Sequence, residues 1–331
     1  MKTPVALFIF KRTSTLPQII GKIGEAKPEK LYLLADGPRN EAEKAMTDEC
    51  RRVAESLITW DCEVVKRYSE QNLGVYRNIG LGAKYVFESE ERAVFIEDDN
   101  LPDSSFVPYC EEMLDRYEKS GDVLWICGTN YLGHSETGYS YMFTRHMLPC
   151  GWASWRDKYV RYYDGELSAL SDKEKVKTYK STYNSAEFSS PALYRQMMHN
   201  IIKTKYLIDN GICKASWDYQ MDWSVRSNKM YGISPCVNLI KNIGVDSVSE
   251  HGGTDISKTM TGRFCEIETY ALHFPLVHPE KISVNPAYEK AIGKIILCPL
   301  SERLKRSTGT FIKRILGMEE GESLTSAFRK K

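Results

Sequence analysis

Short apolar runs alternate with amphipathic stretches through the first half of the chain. The apolar runs predict five strands, at residues 5–10, 31–35, 63–65, 93–96 and 123–126. Between them, helix-forming composition and apolar residues at helical spacing predict helices at residues 41–57, 76–87 and 106–117. This alternation predicts an α/β fold with a mixed, mostly parallel central sheet and helices on its faces.

The alternation stops near the middle of the chain. Residues 128–277 are rich in Tyr, Trp, Gly and Ser, and they predict irregular loops that form a pocket. From about residue 279 the composition shifts to a tail in which basic residues surround isolated aliphatic ones. A basic amphipathic tail of this kind indicates peripheral contact with an anionic membrane, or packing against the rest of the protein or a second subunit.

Composition and charge exclude several classes of protein. With 331 residues, 42% of them hydrophobic and 27% charged, the chain is typical of a soluble globular protein. Lys and Arg number 45 and Asp and Glu 44, so no overall positive field favours a nucleic-acid partner. The nine cysteines are scattered without a C-x-x-C pair, and the first apolar run lacks a signal-peptide cleavage site, so we expect a cytoplasmic protein.

Polar residues follow three of the predicted strands. Lys11-Arg12-Thr13 follows the first, Asp36 begins the turn after the second, and Glu97-Asp98-Asp99 ends the fourth. Parallel strands bring such ends to one edge of the sheet, where ligands bind. Adjacent carboxylates repel one another, and their hard oxygen ligands suit Mn²⁺ or Mg²⁺ together with phosphate oxygens. The alternative is a solvated acidic turn before the next helix.

Two common phosphate-binding motifs are absent from the sequence. No G-x-x-x-x-G-K-[ST] loop occurs, which excludes a P-loop enzyme. No G-x-G-x-x-G follows the first strand, which argues against a nicotinamide-binding domain.

Seven short motifs follow one another over about residues 5–253. They lie at residues 8–12, 35–39, 72–78, 96–99, 151–156, 216–219 and 238–244. As a set they resemble the bacterial nucleotide-sugar glycosyltransferases of the Rossmann-like GT-A fold and, more distantly, eukaryotic N-acetylglucosaminyltransferase I. The resemblance implies a nucleotide-sugar-binding half at residues 1–127 and an acceptor-binding, catalytic half at 128–285, with the tail at 286–331 outside it.

The resemblance also implies roles for the residues at the strand ends. Asp99 matches the metal-binding Asp of the family, and Glu97 and Asp98 match residues that face the donor sugar and ribose. Arg12 and Asp36 match positions that meet the nucleotide, with Asp36 able to accept the N–H of a uracil ring.

Further matches place polar groups around the donor. Arg77, or its neighbour Asn78, matches a polar position near the base and phosphates. His251 lies in a stretch, 248–252, that resembles a loop closing over the donor diphosphate, and it is a second candidate metal ligand. The family does not always place a histidine on the metal.

The Trp217-Asp218 pair matches a pair in which the Asp is the catalytic base of an inverting transfer. A sugar hydroxyl is a weak nucleophile at neutral pH, so a carboxylate must take its proton. Asp222, four residues on, competes with Asp218 for this role. The ordinary alternatives are core packing for Trp217 and a helix cap for Asp218. Trp152, among small residues, is a candidate ring against the sugar.

These inferences together predict a metal-dependent inverting glycosyltransferase of bacterial surface-polysaccharide synthesis. Its donor would be a nucleoside diphosphate sugar, most simply a UDP-sugar, and its acceptor a glycan or lipid-linked glycan on the cytoplasmic side of the membrane. The alternatives are a sugar-phosphate nucleotidyltransferase and a non-catalytic glycan-binding protein. The segment after the first strand has no glycine run, which disfavours the nucleotidyltransferase.

Overall fold

The computed structural model describes residues 1–246, 253–319 and 321–324. The strands in these residues are β1 Val5–Ile9, β2 Lys30–Ala35, β3 Glu63–Tyr68, β4 Arg92–Glu97, β5 Asn100–Pro102, β6 Val123–Cys127, β7 Tyr141–Thr144, β8 Trp152–Trp155, β9 Tyr231–Pro235 and β10 Ile240–Asn242. Eight of them form one sheet in the order β3-β2-β1-β4-β8-β6-β9-β7. Strands β8 and β7 run antiparallel to their neighbours and the other pairs are parallel. The predicted α/β fold with a mixed, mostly parallel sheet is confirmed.

Helices cover both faces of this sheet. They are α1 Leu16–Ala26, α2 Glu41–Ser56, α3 Val75–Ser89, α4 Phe106–Tyr117, α5 Arg156–Tyr162, α6 Lys173–Tyr183, α7 Pro191–Asp209, α8 Asp218–Ser227, α9 Thr259–Phe264, α10 Pro286–Ile296 and α11 Leu300–Ile315, with a short 3-10 helix at Ser168–Ser171. Strand β1 is buried along its whole length because its side chains alternate between two apolar clusters. Phe8 packs in the cluster that contains α3, whereas Leu7 packs with α1, α2 and α4 on the other face.

The predicted elements of the first half are confirmed, with ends that differ by a few residues. The largest difference is β3, which continues to Tyr68 because it lies at the edge of the sheet beside β2. Helix α1 lies outside the predicted set, although its buried residues Leu16, Ile19, Ile20 and Ile23 have helical spacing.

The prediction of an irregular second half is wrong. This region contains the strands β7, β8 and β9 and four α-helices before residue 230, the longest being α7. Its many tyrosines and tryptophans are core residues of these helices, not loop residues: Tyr179, Tyr183 and Trp223 are all fully buried. In this region the aromatic residues reflect helical core packing and not pocket loops.

A small antiparallel sheet joins the two halves of the chain at one point. Strand β5 pairs with β10, so that Asn100 lies opposite Asn242. Because β5 directly follows the acidic end of β4, this pairing holds residues 243–246 over the carboxyl edge of the central sheet.

The two last helices are packed differently. Helix α10 buries Tyr288 and Ile292 against the core, whereas α11 has no buried residue. None of the described helices combines the length and the apolar character that crossing a bilayer requires.

Candidate active site

Three neighbouring parallel strands end at one edge of the sheet. Ile9 of β1 pairs with Ala35 of β2, and Phe8 of β1 pairs with Glu97 of β4. The segments that follow these strands therefore lie side by side. The structure thus brings the polar residues predicted at the strand ends into one region.

Arg12 lies among three carboxylates of this edge. It is only 7% exposed, and its Nη1 lies 3.3 Å from Asp98 Oδ1 and 3.4 Å from Asp99 Oδ2. Its Nε and Nη2 donate to the two oxygens of Asp246 at 3.0 and 3.3 Å. Arg12 also donates to the Gly244 carbonyl at 3.4 Å. Charge balance within the acidic cluster is therefore a role of Arg12 that the sequence did not indicate; its contact with a nucleotide stays a prediction.

Asp99 is held by residues of both halves of the chain. It accepts a hydrogen bond from Asn100 Nδ2 and another from the side chain of Asn242. Gly244 lies so close that a Cβ there would be 2.5 Å from Asp99 Oδ2. Only glycine lets the backbone approach the carboxylate this closely.

The acidic residues have raised pKa values. Burial raises the pKa of Asp98 to about 7, with a further contribution from the charge of Asp99, while Arg12 opposes the rise. Burial also raises the pKa of Asp99 against the effect of Arg12. The pKa of Glu97 lies well above its usual range because of burial and the charges of Asp99, Asp98 and Asp218. Burial, with repulsion between neighbouring carboxylates at Glu97 and Asp98, therefore disfavours the charged forms of these groups, and Arg12 offsets this only in part.

The donor set of the cluster fits a hard divalent cation. Its groups are carboxylate oxygens, and Asp98 and Asp99 keep 15% and 21% of their side-chain surface exposed. Within the described ranges, no three His, Cys, Asp or Glu side chains are arranged as a complete metal cage. Mg²⁺ and Mn²⁺ sites need few protein ligands when phosphate oxygens supply others, so a site at Asp99 is compatible with this geometry.

Asp36 is saturated by local hydrogen bonds. Its Oδ1 accepts from the backbone N–H groups of Gly37 and Leu73, both at 2.8 Å. Its Oδ2 accepts from Asn72 Nδ2 at 3.0 Å and from the Gly74 N–H at 3.1 Å. Asp36 therefore shapes the loop before α3. Its predicted bond to a uracil ring is not tested by these contacts and stays a prediction.

The start of α3 carries the predicted Arg77 and its neighbour Asn78. The guanidinium of Arg77 lies over the Tyr76 ring, 5.3 Å from its centroid. Asn78 is 6% exposed, and its Oδ1 has no hydrogen-bond partner among the described residues. An unpaired buried acceptor of this kind requires an explanation such as water or a ligand.

Trp152 and Trp217 lie in the core, not on an open surface. The Trp152 ring stacks on Phe95 and Trp125, with centroids 3.9 and 4.5 Å apart, and lies 5.7 Å from Trp217. The two predicted rings are 1% and 4% exposed. Core packing is thus a role of both rings; the predicted contact of Trp152 and Trp217 with a donor sugar stays a prediction.

Asp218 is the first residue of α8 and follows Trp217, the residue that precedes the helix. It accepts a hydrogen bond from Ser216 Oγ. Its charge contributes to the raised pKa of Glu97, which places the candidate base in the electrostatic environment of the acidic cluster.

Asp222 is a structural residue. It is 2% exposed, and its Oδ2 accepts from Tyr179 OH at 2.5 Å. Its Oδ1 faces Arg226 Nε at 3.4 Å, inside the core. These contacts give Asp222 a role in the core and favour Asp218 over Asp222 as the candidate base. The other predicted candidate, His251, lies outside the described residues.

Sequence reasoning missed Asp246, Asn242 and Gly244. The available signal was the motif at residues 238–244, which contains two of them. Their contacts with Arg12 and Asp99 depend on the β5–β10 pairing, which joins residues about 140 positions apart and leaves no local pattern.

No protein-family description matches the chain, and no curated protein matches it in sequence. Its structure is similar to that of a UDP-glucose pyrophosphorylase complexed with UDP-glucose, at 9% identity and TM-score 0.36, over 73% of this chain and 94% of that chain. It is similar to the mannosyltransferase PcManGT from Pyrobaculum calidifontis in complex with GDP-Man and Mn²⁺, at 12% identity and TM-score 0.38, over 69% of this chain and 73% of that one. It is similar to S. aureus TarS at 12% identity and TM-score 0.34, over 65% of this chain and 43% of TarS. The chain thus spans less than half of TarS, and the distant similarity to N-acetylglucosaminyltransferase I stays a prediction.

Proposed function

We propose that this chain is a metal-dependent inverting glycosyltransferase. It would transfer a hexosyl or N-acetylhexosaminyl group from a nucleoside diphosphate sugar, such as a UDP-sugar, to a hydroxyl of a glycan or lipid-linked glycan. The observation that carries this proposal is the acidic cluster of Glu97, Asp98 and Asp99 at the carboxyl edge of the sheet. These three carboxyl groups crowd together beside a single arginine, Arg12, and ligands bind to such sheets at this edge.

Asp99 is the residue that would hold Mn²⁺ or Mg²⁺, with His251 as the second candidate. A bound divalent ion supplies a Lewis acid that stabilises negative charge on a leaving diphosphate. The chain itself fixes the carboxylate of Asp99 from two sides through Asn100 and Asn242. This fixed position favours a charge-neutralising role because a preorganised group needs no rearrangement during the reaction.

Asp218 takes the proton of the acceptor hydroxyl. As the hydroxyl oxygen bonds to the anomeric carbon, the bond from that carbon to the diphosphate oxygen breaks and the proton passes to Asp218. Attack from the face opposite the leaving group inverts the anomeric configuration. The hydrogen bond from Ser216 orients the carboxylate, and a carboxylate placed beside the acceptor hydroxyl can take its proton as the new bond forms.

The remaining residues of the site bind the donor. Glu97 and Asp98 face the sugar and ribose, and Arg77 with Asn78 contributes polar groups near the base and phosphates. Arg12 and Asp36 meet the nucleotide, and their contacts also keep the strand-end loops in place. Trp152 and Trp217 support the pocket: their rings lie 5.7 Å apart in the core, and Trp217 directly precedes Asp218 at the start of α8.

The cellular role that we propose is synthesis of a bacterial surface polysaccharide, such as a capsule or lipopolysaccharide, at the cytoplasmic face of the membrane. This role comes from the motif resemblance. Nucleotidyl transfer is disfavoured because the segment between β1 and α1 has no glycine and because its arginine, Arg12, is engaged by three carboxylates.

A panel of nucleoside diphosphate sugars tests this proposal. Each donor is incubated with the protein, with and without Mn²⁺, and the released nucleoside diphosphate is measured. We expect metal-dependent release from one donor. Pyrophosphate production from UTP and a sugar phosphate would indicate a nucleotidyltransferase, and no turnover with any donor would indicate a glycan-binding protein. A product that keeps the donor's anomeric configuration would exclude inversion.

A further inference from the structure

Helix α11 packs against the protein with its polar side. The side chains on one face of the helix are half-buried: Glu302, Arg303, Arg306, Thr310 and Lys313, together with Gly309. At the centre of this face, Arg306 Nη1 donates to Asn200 Oδ1 of α7 at 3.2 Å. The polar face of α11 is therefore the one that the rest of the chain covers.

The opposite face of α11 is apolar and points to solvent. Leu300, Leu304, Phe311 and Ile315 are spaced four, seven and four residues apart, which places them on one side of a helix. They are 61%, 59%, 64% and 69% exposed. Ile312 and Leu316 extend this surface. We call these six residues the outer face of α11.

This arrangement is the reverse of an ordinary surface helix, whose apolar side faces the core. Helix α10 shows the ordinary arrangement, because it buries Tyr288 and Ile292 and exposes Lys290 and Lys294. An apolar surface of several large side chains next to one another marks a contact site.

The charges around the outer face are positive. Residues 300–316 contain five basic residues and one acidic residue, Glu302, although the whole chain is almost neutral. Glu302 lies on the half-buried face with Arg303, Arg306 and Lys313, whereas Lys305 and Arg314 are exposed beside the outer face. Lys305 Nζ also lies 3.4 Å from Glu302 Oε1. The surface therefore combines an apolar centre with cationic edges.

We propose that α11 binds an anionic lipid bilayer, lying in the interface with its outer face among the acyl chains and Lys305 and Arg314 at the lipid headgroups. Apolar burial and attraction to anionic headgroups act together in such helices. A second copy of the chain is a poorer occupant. A two-fold contact through this face would bring its cationic edges together. This inference is independent of the proposed function, because it uses no residue of the acidic cluster.

Vesicle flotation of the full-length chain tests the proposal. Vesicles of phosphatidylcholine mixed with phosphatidylglycerol are compared with phosphatidylcholine alone. We expect binding to the mixed vesicles to be at least about tenfold stronger, and Leu304→Ser/Phe311→Ser to lose it at unchanged melting temperature. Lys305→Glu/Arg314→Glu should remove the preference for the anionic lipid. The matched control is Val160→Ser/Val277→Ser, which alters exposed apolar residues elsewhere, at 61% and 55% exposure, and should bind as wild type does.

Two results would overturn the proposal. One is equal binding of wild type and Leu304→Ser/Phe311→Ser to the mixed vesicles. The other is a wild-type dimer in sedimentation velocity that this double variant converts to monomer, without vesicle binding by either protein. The second result would assign the outer face to a second copy of the chain.

Discussion

Arg12 and Asp246 form a two-pronged ion pair, with Nε to Oδ2 at 3.0 Å and Nη2 to Oδ1 at 3.3 Å. The same guanidinium reaches Asp98 and Asp99 through Nη1. The buried guanidinium of Arg12 therefore links the residues at the end of β4 to the segment after β10, although these two segments are far apart in the sequence. The geometry of the acidic cluster depends on this link as well as on the strands.

Replacing Arg12 should destabilise the fold strongly. Arg12→Met leaves three carboxylates without their buried partner, and we expect the free energy of unfolding to fall by about 3–5 kcal/mol. Arg12→Lys keeps the charge but not the forked geometry of the guanidinium. It should lower the free energy of unfolding by less than Arg12→Met does. Urea unfolding measures both. The control, Arg52→Met, removes an exposed i,i+3 partner of Glu49 and should cost less than about 1 kcal/mol. If Arg12→Met and Arg52→Met lowered the free energy of unfolding by similar amounts, the buried contacts of Arg12 would not be important for stability.

Gly244 should tolerate no side chain. The Cβ of Gly244→Ala would lie 2.5 Å from Asp99 Oδ2, so the loop or the carboxylate must move. We expect a lower melting temperature and at least about tenfold weaker donor binding, equivalent to about 1.4 kcal/mol. Gly21→Ala in α1 is the matched control, because a Cβ there meets nothing within 4 Å. That change should stabilise the protein by about 0.5–1 kcal/mol. Unchanged donor binding by Gly244→Ala would contradict the close approach.

The acidic cluster should make stability depend on pH. The pKa of Asp98 is raised from 3.8 to about 7 by burial and by Asp99. Between about pH 4 and 7 the folded state therefore binds more protons than the unfolded state, and stability falls as pH rises. Asp98→Asn removes the contribution of this carboxyl group to the pH dependence. Its melting temperature should exceed that of wild type by about 2 °C or more near pH 7.5, and the difference should shrink toward pH 4.

Differential scanning calorimetry across this pH range measures the effect. Asp209→Asn, a change of an acidic residue that is 53% exposed on α7, is the control and should show no such trend. A constant difference between Asp98→Asn and wild type at all pH values would contradict the assigned pKa.

The two aspartates of α8 should respond differently to the same substitution. Asp218→Asn should keep the melting temperature and donor binding but lower the transfer rate by about 10²- to 10⁴-fold. Asp222→Asn removes the charge that faces Arg226 in the core and should lower the free energy of unfolding by about 3 kcal/mol. Transfer rates and urea unfolding of both variants separate the roles. Full transfer activity in Asp218→Asn would place the base elsewhere.

The sequence predicts well what local pattern determines. The buried strands β1, β2 and β4 and the acidic residues after β4 follow from apolar runs that end in charge, and parallel strands must then bring these ends together. The partners of the cluster do not follow from local pattern. Asp246 meets Arg12 across 234 positions of sequence, and Trp152 looks like a pocket residue until its stack with Phe95 and Trp125 is seen. Helix α11 is amphipathic in sequence, but only its packing shows that the apolar side faces outward.

Calorimetric titration of UDP into the wild-type protein and into Asp99→Asn, with and without Mn²⁺, tests the central claim most directly. The claim is that the carboxyl edge at Asp99 binds a diphosphate through a divalent cation. We predict that wild type binds UDP only when Mn²⁺ is present and that Asp99→Asn, folded to the same melting temperature or above, does not bind it. Equal binding of UDP by wild type with and without Mn²⁺, or by Asp99→Asn and wild type in its presence, would contradict this account.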